Sequence, residues 1–123
     1  MRTLLILIGF YQSANGIFML AAPTLWYGSI PDVTETGPAN LHFIRDIGLA
    51  FIAAGFGLFI GAFKHDRRVI LIACIFLGGH ALLHLAELLH GTSPMDALRD
   101  VILIALPGLL PLAALITPER RTA

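Results

Sequence analysis

Three histidines and a carboxylate share one short segment, Gly78-Gly79-His80-Ala81-Leu82-Leu83-His84-Leu85-Ala86-Glu87-Leu88-Leu89-His90, that is otherwise apolar. At about 100° per residue, a helix gathers His80, His84 and Glu87 within about 60° on one stripe. His90 falls roughly 60° beyond Glu87, about one turn further along. A second group, His42-Phe43-Ile44-Arg45-Asp46, and a third, Arg99-Asp100, open two other apolar runs. Counting at about 1.5 Å per residue puts Asp46 and Glu87 or His84 roughly 5–9 Å below the outer boundary, His42 and His90 near the surface and Asp100 at about the Asp46 level. One site could therefore draw His42, Asp46, His84, Glu87 and Asp100 from three helices, with Arg45 and Arg99 beside them. His80 falls deeper, about 15 Å below the end of its helix and level with Gln12 or Asn15.

Those residue types suit three kinds of site. Histidine and carboxylate at i, i+3 and i, i+4 on facing helices build metal centres, and Glu87-Leu88-Leu89-His90 is a literal Glu-x-x-His. Nitrogen and oxygen donors without thiolate suit a divalent metal, Zn, Fe, Mn or Cu, with His42, Asp46, His84 and Glu87 as the ligands expected here. Haem b would take one histidine from each of two helices, with Arg45 or Arg99 near its propionates, although His42 and His84 differ in depth by about one turn. A pocket for a small ligand or lipid head group would use Arg45 and Arg99 as an anion clamp; Arg45, His80 and Asp100 are the candidate cofactor-binding residues. Set against all three, the same side chains can pair only to lock helices together. Catalysis would further require an open coordination position and a substrate path.

The elements that must position these residues are membrane spans. Of 123 residues, 57% are hydrophobic and 13% charged, with a mean hydropathy of +0.83; soluble domains carry nearer ~25% charge. The length accommodates one membrane domain of four spans, at about 3–25, 41–63, 69–89 and 95–116. Zero net charge gives no polybasic tract for nucleic acid. A single cysteine, Cys74, excludes an intrachain disulfide and a thiolate cluster, and a small core residue is expected there.

Taken in order, Arg2 precedes the first apolar run. It is too long for a signal core, and Pro23 would follow the cut, so it reads as a retained span. Pro23 to Asn40 holds three prolines and two glycines, a turn-rich loop with Trp26 and Tyr27 at the interface. Asn40 is placed to cap span two, in which Ala53, Gly57 and Gly61 form a small-xxx-small stripe. Lys64 to Arg68 is a tight charged turn that makes spans two and three antiparallel, and His65 reads as a solvated residue of it. Ser93 and Pro94 suit the N-cap and first position of span four, which Pro107 and Pro111 should kink.

Basic residues cluster at Arg2, at Lys64, Arg67 and Arg68, and at Arg120 and Arg121, while the two other connections hold none. The positive-inside rule makes both termini cytoplasmic. Asp32, Glu35, Asp46, Glu87, Asp96 and Asp100 fall in the opposite half, and Asp66 and Glu119 on the basic side. Ile44-Arg45-Asp46-Ile47 and Leu98-Arg99-Asp100-Val101 open alternate spans alike, the pattern of two parallel helical hairpins. The fold expected is an all-α, four-transmembrane-helix bundle in contact with lipid, alone, as a homo-oligomer or in a larger membrane complex.

The string Thr36-Gly-Pro-Ala-Asn-Leu-His-Phe-Ile-Arg-Asp-Ile-Gly48, together with Pro23-Thr-Leu-Trp-Tyr, Ile30-Pro-Asp-Val and His80-Ala-Leu-Leu-His, resembles a group of small bacterial four-helix membrane proteins of unknown function. The resemblance covers spans one to three and fades over span four. It implies a bacterial inner-membrane protein and points to His42, Arg45, Asp46, His80 and His84; Glu87 and His90 rest on helical geometry alone. It supplies no reaction. The site expected is a His/carboxylate cluster opening outward, for a divalent metal first, with a structural or ligand-binding cluster as the alternative and haem b behind both.

Overall fold

A computed structural model describes residues 1–31 and 33–117, with Glu35 and Thr36 described as backbone only. Asp32, the Glu35 side chain, Glu119, Arg120 and Arg121, which enter the charge pattern, lie outside the described residues. Helices dominate and no strand occurs among the described residues. We number them α1 (Arg2–Ala21), α2 (Pro23–Ser29), α3 (Leu41–Lys64), α4 (Arg67–His90, its last turn tightened to a 3₁₀ turn) and α5 (Pro94–Ile116). All but α2 are long and apolar enough to cross a membrane. Their outward faces carry large apolar side chains such as Phe10, Phe56, Ile72 and Ile75, as a lipid-facing surface requires.

Local chemistry sets the boundaries. Asn40 Oδ1 accepts from the Phe43 N–H at 3.1 Å and caps α3. Left-handed His65 (φ 54°), exposed as expected, ends that helix. Asp66 Oδ1 then accepts from the Arg68 N–H at 2.9 Å to start α4. Ser93 Oγ accepts from the Asp96 N–H at 3.2 Å, with Pro94 in the first turn of α5. Two expectations change. Span one stops at Ala21 rather than near residue 25, because Pro23 lacks the N–H that would continue it. The connection after it is not all turn: Pro23 starts α2, and Val33–Thr36 forms a 3₁₀ turn.

Packing follows chain order: α1 on α3, α3 on α4, α4 on α5. The closest approach is α1 to α3, through glycines on both sides. A Cβ on Gly9 would lie 2.9 Å from the Gly55 carbonyl oxygen, and one on Gly48 would lie 2.8 Å from that of Gly16. The stripe expected on span two is only partly an interface. Gly57 faces Ala73 and Gly61 faces Ile70 on α4, but Ala53 is exposed. The core between helices includes Leu5, Phe51, Leu58, Ile70, Leu77 and, as expected, Cys74.

The prolines shape α5 through backbone hydrogen bonding. Pro107 has no N–H to offer the Leu103 carbonyl four residues back. A π-helical turn, Val101–Ala105, precedes it, and a 3₁₀ turn, Leu110–Leu112, surrounds Pro111. Tyr11 Oη–H donates to the Leu103 carbonyl at 2.9 Å, so α1 supplies the donor that Pro107 removed.

Candidate functional site, a cavity in the acidic half

A cavity of about 950 Å³ occupies the half of the bundle opposite Lys64, Arg67 and Arg68, bounded by residues of all four spans and of α2. Aromatic walls come from Tyr11, Trp26, Tyr27, Phe43 and Phe51. Polar groups enter from α1 (Gln12 and Asn15), α4 (His80, His84 and Glu87) and α5 (Asp96, Arg99 and Asp100). The first and last spans pack around Leu110–Leu112, near the basic end; towards the other end the Tyr11–Leu103 hydrogen bond joins them and both residues line the cavity.

Most of these polar groups are committed to one another. His84 Nδ1 lies 3.3 Å from Asp100 Oδ2 and 3.8 Å from Glu87 Oε2, linking α4 to α5. Asp100 is the less exposed acid, its side chain 18% exposed against 72% for Glu87. Arg99 Nη1 meets Asp96 Oδ1 at 2.9 Å, and its Nε meets Asp100 Oδ1 at 3.7 Å. Trp26 Nε1–H donates to Asn15 Oδ1 at 3.0 Å and fixes α2 over α1. Tyr27 Oη–H donates to the Gly37 carbonyl and ties down the loop. Thr92 donates to the Glu87 carbonyl. The His80 ring is held edge-on to Phe51 at 5.2 Å and to His84 at 4.8 Å between centroids.

The residues singled out by sequence therefore divide. His80, His84, Glu87 and Asp100 line the cavity. His42 and Asp46 pair with each other at 3.4 Å, i to i+4 on α3, with side chains 89% and 55% exposed; Arg45 is exposed too, and none of the three lines the cavity. Helical phase explains the split. Phe43, Ile44 and Ile47 face the cavity from α3, which leaves residues 42, 45 and 46 on its other side. Among the described residues, no group of three His, Cys, Asp or Glu is placed to hold a metal ion. Both cavity histidines belong to α4, so His42 and His84 do not face each other across it as haem ligands from two helices would. The Arg45–Arg99 anion clamp does not form either, since Arg45 is outside and Arg99 is held by two carboxylates. His90 Nδ1 lies 3.2 Å from the Ala86 carbonyl oxygen, a contact at the end of its own helix.

Sequence reasoning passed over four participants. Trp26 and Tyr27, expected as interface anchors, are cavity walls. Tyr11 bridges α1 and α5; its one legible signal was Pro107, which announces a carbonyl in need of a donor. Gln12 is buried, lines the cavity, and makes no side-chain hydrogen bond among the described residues. Searches against family models, curated proteins and solved structures find no match to the chain.

Proposed function

We propose that this chain is a small membrane-embedded binding protein whose cavity takes an amphipathic, lipid-soluble small molecule. The observation that carries the reading is the lining itself: aromatic and aliphatic walls around a few convergent polar groups, at a volume of about 950 Å³, the composition of a small-molecule site. Two lining residues, Phe43 and Leu83, are also 60% and 67% exposed. A lipid-soluble molecule would find the cavity beside them without leaving the bilayer.

The His84–Asp100 and Tyr11–Leu103 contacts support this reading by holding α5 against α4 and α1 at the cavity's edge, so helix locking and binding act together. The basic residues further support a setting in which Lys64 and Arg67 face the cytoplasm, both termini are cytoplasmic and the cavity faces the outer leaflet. With the resemblance described above, that setting is a bacterial inner membrane. The two Arg-Asp helix starts support descent from two parallel hairpins.

The test uses the single tryptophan, which lines the cavity. Single-chain amphiphiles with neutral, anionic and cationic heads are titrated into nanodisc-reconstituted protein while Trp26 emission is followed. A saturable response to at least one of them is expected. Unchanged emission across all of them overturns the reading and leaves a purely structural bundle.

A further inference from the structure

We infer, resting on that reading, that the cavity is selective for an uncharged head group bearing carbonyl or hydroxyl oxygens, which docks deep in the bundle on Gln12 and His80.

The first observation is an uneven use of hydrogen-bonding capacity. Around the cavity Tyr11, Asn15, Trp26, Tyr27, His84 and Arg99 all have protein partners. Gln12 does not, yet it is 4% exposed and at mid-length of α1. What exposure it retains is toward the cavity it lines. A carboxamide offers two donors and one acceptor, and no protein group takes up those of Gln12 among the described residues. His80, on the same cavity, makes ring contacts with Phe51, Phe76 and His84 but no hydrogen bond among the described residues. Its imidazole adds two ring nitrogens able to hydrogen-bond. The unspent capacity is thus both donating and accepting, which matches carbonyl and hydroxyl oxygens.

The second observation is charge. Among the described residues, the acidic side chains lining the cavity are Glu87, Asp96 and Asp100, against Arg99, whose guanidinium is held by Asp96 and Asp100. Among the described residues, an anionic head would meet surplus carboxylate and an arginine already held by two acids. A cationic head would be drawn to Glu87 near the rim, where that side chain is 72% exposed, and away from the apolar depth where Gln12 lies. An uncharged head suits both ends of the cavity.

Two sources share this chemistry: a quinone ring, which the aromatic walls would also stack against, and the glycerol end of a neutral lipid. The experiment separates them. Protein in nanodiscs is titrated with decylubiquinone, dodecanoylglycerol, dodecyl phosphate and dodecyltrimethylammonium, read by Trp26 emission and by native mass spectrometry. Each titration is repeated with Gln12→Leu and with His80→Phe, which keeps the ring contacts. One or both uncharged probes should bind more tightly than either charged probe, and each variant should weaken that binding about tenfold. Gln12→Leu should melt no lower than the parent, because it removes an amide with no protein partner among the described residues; a residue that only locked helices would lower the melting temperature when lost. A preference for a charged probe, or uncharged-probe binding unchanged in both variants, overturns this inference while leaving the binding reading intact. Failure of all four probes removes the reading itself.

Discussion

At the scale of single residues, the helix-locking contacts and the unspent groups differ in what their loss should do. Tyr11 Oη–H serves the Leu103 carbonyl that Pro107 cannot. Tyr11→Phe should therefore destabilise the bundle by about 1 kcal/mol, seen as a lower melting temperature in detergent. In a Pro107→Ala background the helix can supply its own N–H, so the same substitution should cost less. Equal losses in the two backgrounds would show that the hydroxyl does not act through the proline-freed carbonyl. His84 should behave differently from His42. His84→Ala takes from Asp100, a carboxylate whose side chain is 18% exposed, the nearer of its two partners and leaves Arg99, whereas His42→Ala removes a pair on an exposed face. Thermal melts of the two variants should show a loss only for His84→Ala; equal losses would place the two pairs in comparable surroundings.

Helices and their interfaces show where sequence was legible and where it was not. Span existence came from apolar length. Caps at Asn40 and Ser93 came from side-chain chemistry that acts within a few residues, and the structure has both. The rotation of each helix was harder, because every face of an apolar membrane helix reads alike. Span two illustrates the difficulty: small residues at 53, 57 and 61 suggested one stripe, yet the closest approach uses Gly48 and Gly55 against Gly9, Ser13 and Gly16. The same ambiguity put His42 and Asp46 into a site that their helix turns away from. On α4, three polar residues in phase fixed the stripe, and His80, His84 and Glu87 do line one cavity. A comparison of glycines tests the interface. Gly79→Ala, with nothing near its added Cβ, should gain up to about 1 kcal/mol from helix propensity. Gly55→Ala carries the same gain but would drive its Cβ into Ser13 Oγ and the Gly9 carbonyl oxygen, so it should lower the melting temperature. A Gly55→Ala protein as stable as Gly79→Ala would mean that α1 and α3 do not approach so closely.

For the whole molecule, composition alone indicated a membrane bundle, while its orientation rests on a charge asymmetry acting outside the fold. Lys64, Arg67 and Arg68 gather at one end, and the loop at the other, through Tyr27, Gly37 and Asn40, holds no lysine or arginine. Arg67 also tethers the last span, donating to the Leu115 carbonyl at 3.3 Å and to that of Thr117, so its charge is part of the packing as well as of the topology signal. On the proposed orientation, with cationic loops retained on the cytoplasmic side, the cavity would lie toward the outer leaflet. Two single-cysteine proteins in a Cys74→Ala background test this, with the cysteine at Thr34 or at Lys64, both exposed. A membrane-impermeant maleimide added to intact cells should label the Thr34 position and reach the Lys64 position only after permeabilisation. The reverse pattern would turn the bundle over and place the cavity toward the cytoplasmic leaflet. Labelling of both from outside would break the four-span topology, since α3 alone separates the two sites.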